Sequence, residues 1–267
     1  MTTPTRTLFG DFLRSRRKKL KPDAVGLNDG RRRRTPGLRR EEVAELAGIG
    51  VDWYVRLEQG RDVSPSETTL DALTRALRLD QAEAAHLRAL ARRAEPRAFV
   101  PEDVPPTVAR IVASLELPAY VTGRRWDILA WNVAAADLLG FDRLAEADRN
   151  ILIYMFIEPE ARRLFATGWA HEARRMIALF RMTYDLHATD PAFVALVQRL
   201  CASSAEFVLW WNAHDVRSGG AGEKVLAHAR HGTQRYEYAT FQANDNSALK
   251  LAIYTPVDAP ATKPRSS

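Results

Sequence analysis

Three groups of side chains in this 267-residue sequence have the types and spacing to do chemistry. The first is basic and polar. It comprises Arg33 and Arg34 in the run Arg31-Arg32-Arg33-Arg34, then Arg40, Val51, Asp52, Val55, Arg56 and Arg61. Arginine pairs bidentately with guanine, Asp suits cytosine, and an apolar Val suits a thymine methyl. Asp52 equally suits the positive start of a helix. A run of four arginines fits phosphate or minor-groove contact, or a solvated loop. The second group is Cys201, His214 and Asp215, a nucleophile with a base and its orienter. Adjacent His214 and Asp215 would diverge on a helix, and Cys201 in an apolar segment packs as a small hydrophobe. The third is His228 and His231, with His214, as metal ligands or a single haem ligand. No close His/Cys/Asp spacing supports a built metal site. Gly219-Gly220-Ala221-Gly222 lacks the following helix that a phosphate loop needs. The expectation is a binding protein, not an enzyme, with no catalytic residue and no metal.

The elements that position the first group are readable. Val43, Leu46 and Ala47 share a helical face, and Gly48 follows where a left-handed residue ends a helix. A second helix from about Val51 to Gln59 stops at Gly60. Tyr54 and Leu57 lie on its inner side, which leaves Asp52, Val55, Arg56 and Gln59 outward. Two short helices around a tight turn are a helix-turn-helix, whose second helix enters the major groove. A first helix is expected from Thr7 to about Leu20, with Leu8, Phe9, Phe12 and Leu13 apolar. Arg14 to Lys19 at its end suit phosphate contact or solvent. Two more helices are expected, from Ser66 and from Gln81 to Arg92.

Composition divides the chain. Residues 1–96 carry 20 Lys/Arg against 14 Asp/Glu, whereas residues 97–267 carry 19 of each. All the net charge of +6 therefore sits with the helix-turn-helix, which points to a polyanion partner. One cysteine excludes an internal disulfide and fits a reducing cytoplasm. No signal core or membrane-spanning run occurs. The expected organisation is a helix-turn-helix domain over 1–94, a Pro-rich linker over 95–106, a second domain over 107–258 and a disordered tail over 259–267.

In the second domain a short helix around Val108–Leu115 precedes a strand at Pro118–Val121, a turn at Gly123–Arg125 and a strand at Trp126–Trp131. Asn132 then leads a helix from Val133 to Leu139. Helices are expected at Ile151–Phe156, Pro159–Thr183, Pro191–Ala202 and Ala205–His214. Strands follow at Glu223–Arg230, Gln234–Gln242 and Ala248–Thr255. This opening resembles a PAS-like sensor domain. Five of the six tryptophans fall after residue 100. Large aromatics suit an apolar cavity and a plain core alike.

Ala44, Gly48, Leu57 and Glu58-Gln59-Gly60-Arg61 resemble the Cro/C1-type (XRE) helix-turn-helix family. Gly37-Leu38-Arg39-Arg40-Glu41-Glu42-Val43-Ala44 and Trp53-Tyr54-Val55-Arg56-Leu57 resemble its MmyB-like branch more specifically. Tyr54 and Arg40 depart from the general family, which has a smaller aliphatic residue and often Gln there. Pro118-Ala-Tyr, Arg125-Trp-Asp-Ile-Leu-Ala-Trp-Asn132, Arg149-Asn150 and His214-Asp215-Val216 are similar to the MmyB-like ligand-binding domain. His231-Gly232-Thr233-Gln234-Arg235 departs from that pattern.

The resemblance implies an α plus α+β architecture: a five-helix helix-turn-helix domain, then a PAS-like sheet-and-helix domain. It implies a transcription regulator on double-stranded operator DNA that senses an apolar molecule such as a fatty acid, with no other cofactor. A homodimer is expected because one short recognition helix reads too few base pairs alone, and the cysteine count and the lack of apolar runs point to a cytoplasmic protein with no membrane partner. Tyr120, Trp126, Phe156, Phe180, Phe207, Trp210, His214 and Tyr238 are the expected ligand contacts. Arg125, Arg174 or His214 could receive a carboxylate. A haem- or flavin-binding redox sensor on the same domain is the alternative.

Overall fold

A computed structural model describes residues 4–27, 37–61, 63–92, 98–216 and 221–257. Arg33, Arg34, Gly219, Gly220, part of the expected linker and the expected tail lie outside the described residues. Two compact units divide the chain. The first is Met1–Ala98 together with two later segments, Ala178–Ala195 and Leu209–Ser218.

Its helices are α1 (Pro4–Lys19), α2 (Arg40–Ala47), α3 (Val51–Glu58), α4 (Glu67–Ala76) and α5 (Gln81–Ala91). Gly48 adopts φ +64° and closes α2, donating its amide to the Ala44 carbonyl. Ser66 caps α4 through the Thr69 amide at 3.2 Å. Asp80 and Glu83 cap α5 reciprocally, at 2.8 and 3.1 Å. Phe9, Phe12 and Leu13 of α1 meet Val43, Tyr54, Leu57, Leu70, Leu73 and Leu87 in one core. Val216 is buried in that core and Met182 packs against it. Gly60 sits at φ +65°, and a Cβ there would lie 2.7 Å from the Arg6 carbonyl oxygen. Only glycine lets α3 end so close to α1.

The second unit is Phe99–Ile177, Leu196–Val208 and Gly219–Ser267. Its strands are β1 (Ala119–Thr122), β2 (Ile128–Trp131), β3 (Gly222–His228), β4 (Gly232–Gln242) and β5 (Lys250–Pro256). They form one five-stranded antiparallel sheet in the order β2-β1-β5-β4-β3. Helices lying wholly or partly in this unit are α6 (Pro106–Ser114), α7 (Val133–Leu139), α8 (Ile151–Ile157), α9 (Pro159–Phe165) and α10 (Trp169–Leu186). Then come α11 (Pro191–Ser203) and α12 (Ala205–Trp211). Helices α10, α11 and α12 each contribute residues to both units.

Strand β1 is buried along its whole length. Ala119 and Val121 pack with Val112 of α6. Tyr120 meets the Phe141 ring edge-on at 5.2 Å and Tyr254 at 6.2 Å. A strand covered on both faces reads as an unbroken apolar run, as Ala-Tyr-Val does here. Asn132 accepts from the Ala135 and Ala119 amides at 2.9 and 3.1 Å, and donates to Leu115 and Leu117 carbonyls at 2.8 and 2.7 Å. One side chain thus starts α7 and ties the end of α6 to the strand edge.

Two sequence expectations need correction. The strand expected at Trp126–Trp131 begins only at Ile128: Trp126 takes φ +68° and closes the turn, donating its amide to the Gly123 carbonyl at 3.0 Å. The single helix expected over Pro159–Thr183 is broken after Phe165. Ala166 takes φ +42°, ψ −123°, a 3-10 turn covers Ala166–Gly168, and α10 begins at Trp169. The apolar period ran through the break, so periodicity could not show it.

Candidate functional site

The outward face of α3 is built as a reading surface. Tyr54 and Leu57 are buried in the core, which turns Val51, Asp52 and Arg56 to solvent, with Val55 half-buried. Val51, an apolar residue at the start of the helix, is 39% exposed. Gln59 and Arg61 are exposed beside them. An α-helix with its inner face locked and polar and small apolar side chains outward fits the major groove.

What locks α3 is a buried ion cluster around Glu58. Arg17 of α1 donates to its two oxygens from Nε and Nη2 at 2.7 and 2.8 Å, and from Nη1 to the Leu38 carbonyl at 2.8 Å. Arg40 of α2 adds a bond from Nε at 3.0 Å. Burial works against the Glu58 charge, but the hydrogen bonds and charge of Arg17 and Arg40 outweigh it and hold the carboxyl below its ordinary range. Arg17 therefore points inward, not to phosphate or solvent. Arg16 is also inward, paired with Glu83 and donating to the His214 carbonyl.

The later segments of the first unit are held by similar bonds. His86 of α5 lies 3.0 Å from the Asp185 carboxylate, and both are buried. Lys19 donates to the Ala213 carbonyl at 2.6 Å and pairs with Asp215. Arg181 stacks 3.5 Å above the Trp211 ring. His214 lies at φ +52°, and burial lowers its pKa. Of the eight residues expected to contact a ligand, Phe180, Trp210 and His214 belong to this unit.

Tyr120, Trp126, Phe156, Phe207 and Tyr238 belong to the second unit. Phe156 meets Phe207 at 5.1 Å and Trp169 at 5.9 Å, both edge-on. Tyr120 and Tyr238 flank Tyr254, at 6.2 and 6.1 Å. Arg125 chelates Asp127, with its Nε at 2.9 Å from one oxygen.

Sequence reasoning did not single out the charged group beside these tyrosines. Glu172 and Arg175 on α10 lie against Lys224 on β3. Arg175 donates to Glu172 from Nε and Nη2, at 2.8 and 2.6 Å. Lys224 Nζ is 2.9 Å from Glu172 Oε1 and donates to the Tyr254 hydroxyl at 2.9 Å. Burial opposes ionisation of Glu172, yet the Arg175 hydrogen bonds and the Lys224 charge lower its pKa to about 2. Burial pushes the Tyr120 and Tyr254 hydroxyls well up. The available signal was period two: Lys224 shares a strand face with Leu226, an unusual place for a lysine.

His228 and His231 come together with Asp137 of α7, their donor atoms within 4.8 Å of one another. His231 Nε2 is 2.8 Å from Asp137 Oδ2, and Arg230 pairs with the other oxygen. His228 Nε2 faces the Asp137 carbonyl at 3.0 Å, and its Nδ1 accepts from the His231 amide at 3.2 Å. With both Nε2 atoms donating to Asp137 oxygens and His228 Nδ1 accepting from the Arg230 and His231 amides, the cluster acts as a clasp between the hairpin turn and α7. A cavity of about 250 Å³ lies beside it, lined by Leu138, Arg143, Glu160, Arg163, Leu164 and Ala227–Ala229.

A locked helix pair with an exposed second helix defines the first unit as a helix-turn-helix DNA-binding module, and a helix-turn-helix domain family model matches residues 8–87. A model of the MmyB-like transcription regulator ligand binding domain matches residues 104–265. The chain belongs to the MmyB-like transcription regulator family: it joins a helix-turn-helix DNA-binding domain to a ligand-binding domain. Both matched families are regulator domains. Among curated proteins, none matches the chain. No described helix is long and apolar enough to cross a membrane.

Proposed function

We propose that the protein is a one-component regulator that binds operator DNA as a homodimer and changes its affinity when an apolar molecule, a fatty acid in the first instance, occupies the second unit. Val51, Asp52, Val55 and Arg56 read bases. Arg40 and Arg61, with Arg33 and Arg34, hold the DNA backbone. Tyr120, Trp126, Phe156, Phe207 and Tyr238 form ligand walls. Phe180, Trp210 and His214 act on the DNA-binding side. The first hairpin and the closing three strands share one sheet, with the helices inserted between them, which supports a PAS-like reading.

The observation that carries this reading is the division of the chain. Ala178–Ala195 and Leu209–Ser218 fall inside the ligand-binding family match, yet they fold in the unit that holds the helix-turn-helix. A ligand that favours one arrangement of α10 and α12 therefore acts on elements that the DNA-binding unit itself uses. The test is operator affinity of the full chain with and without saturating decanoate. A shift of several-fold is expected; binding of the lipid with unchanged operator affinity rejects the sensor mechanism.

A further inference from the structure

His214-Asp215-Val216 lies in the ligand-binding family match but folds in the DNA-binding unit, and its contacts there have a definite chemistry. Helix α12 ends at Trp211, and the carbonyls at and beyond its end need donors. Three cations supply them. Arg181 donates to the Trp211 carbonyl, Lys19 to the Ala213 carbonyl at 2.6 Å, and Arg16 to the His214 carbonyl. Cations at a helix C-terminus also suit its dipole. The Asp215 carboxylate pairs with Lys19 and lies 3.9 Å from Arg16. His214 takes φ +52°, a left-handed backbone that a side chain disfavours. The chain then enters the core of this unit through Val216, alongside Leu13, Tyr54 and Leu57. Of residues 213–216, only Val216 is buried.

The seat of this turn is the end of α1. Arg16 and Lys19 hold the turn, while Arg17 between them holds Glu58 of α3 and the Leu38 carbonyl. Arg14, one helical turn earlier, donates to the Glu58 carbonyl at 3.2 Å. The end of α1 therefore grips residues 213–216 with some side chains and the recognition helix with others. A helical turn is rigid, so a shift of its Arg16 side moves its Arg17 side as well. A turn with a strained residue, one buried side chain and mostly polar bonds opens at less cost than the core around it. We propose that residues 213–216 form an intramolecular brace for DNA binding. Seated, the brace fixes the end of α1 and, through Arg17, the angle of α3. Unseated, it lowers operator affinity. Arg16 and Lys19 then serve DNA binding as positioning residues, not as phosphate contacts. The brace acts whatever ligand the second unit takes, and its test uses none.

The experiment measures the affinity of full-chain variants for one duplex, an operator selected from a random pool by the unsubstituted chain, at fixed salt. The Lys19 and Asp215 side chains are 43 and 59% exposed, so the fold tolerates their exchange. Asp215→Lys sets a third cation against Arg16 and Lys19 and unseats the brace. Its operator affinity should fall by about threefold or more, although the added positive charge by itself favours DNA. Joining Lys19→Glu to Asp215→Lys restores an ion pair and the parent net charge, and should recover most of the loss. General attraction to phosphate gives the opposite order, with Asp215→Lys the tightest binder. Asp215→Lys binding as tightly as the parent, or the double variant binding no better than Asp215→Lys, would overturn the brace. Val216→Ala leaves every charge in place and loosens the apolar anchor, and its operator affinity should fall too. Parent-like affinity in Val216→Ala counts against the brace in the same way. Amide hydrogen exchange separates unseating from loss of fold. Asp215→Lys should quicken exchange in α1 and α3 and leave the β1–β5 sheet as in the parent. Unchanged exchange in α1 and α3, or equal quickening in the sheet, would also overturn it.

Discussion

Glu58 is 1% exposed and still ionised, because Arg17 and Arg40 reach it from two other helices. Removing its charge strands Arg17 in the core. Glu58→Gln should therefore cost about 3–5 kcal/mol, the range for breaking one half of a buried pair. Equilibrium urea unfolding measures it, and a loss below about 1 kcal/mol would mean that the cluster is better solvated than its burial indicates. Glu172 makes the matching case in the second unit. Its carboxyl titrates at about 2 in the folded chain, against an ordinary value of 4.5. Its contribution is complete above the ordinary carboxylate range and is lost as pH falls from there toward about 2. Glu172→Gln should lower stability at neutral pH and flatten the acid limb of stability over that window. An unchanged limb would place the acid sensitivity elsewhere, with Glu58 the next carboxyl to examine.

At the scale of the element, α3 divides its labour by face. Tyr54, Leu57 and Glu58 hold it in place, and Val51, Asp52 and Arg56 face outward. Arg56→Ala should relax base preference, with a change in relative affinity of about 1–3 kcal/mol between cognate and altered sites. Arg33→Ala should weaken cognate and random DNA alike, as a phosphate contact carries no base information. Competition binding against random DNA distinguishes them; equal scaling by both variants would remove Arg56 from base readout. Asn132 illustrates how one cap serves several elements. Asn132→Ala unpairs two amides and two carbonyls around the start of α7. The expected loss is roughly 2 kcal/mol or more. A denaturation midpoint matching the parent chain would show that water replaces those bonds without penalty.

For the molecule as a whole, charge and folding units overlap but are not identical. The net positive charge lies in residues 1–96, so operator affinity should fall steeply with salt. The fold of that region draws on later residues: Val216 is in its core, Met182 packs on it, and Asp185 meets His86. A fragment ending at residue 96 should therefore unfold at lower denaturant than the first unit of the full chain. It leaves apolar surface and the His86 ring without those partners. Equal midpoints would make the later segments mere passengers. A homodimer on a two-fold operator is expected because one short recognition helix covers too few base pairs. Sedimentation of a monomer both on and off DNA would reject it.

The sequence by itself determined most of the elements and pointed to the partner class. Apolar residues at Val43, Tyr54 and Leu57, glycines at 48 and 60, and an excess of Arg and Lys are local signals, each readable from spacing and charge. Asn132 and the Val133–Leu139 helix were legible for the same reason, since a cap and its helix are neighbours in the chain. Tertiary structure alone decided which distant residues meet. Arg17 and Glu58, His86 and Asp185, and Lys224 and Glu172 are each separated by many residues, and no local period links them. A charged residue reads as surface in a sequence. Only the fold shows that Lys224 and Glu172 are inside, where low polarisability makes their pairing matter. The units were decided in the same way: helical spacing defines α10, but the faces that bury its second half with α1 and α5 come from elsewhere in the chain.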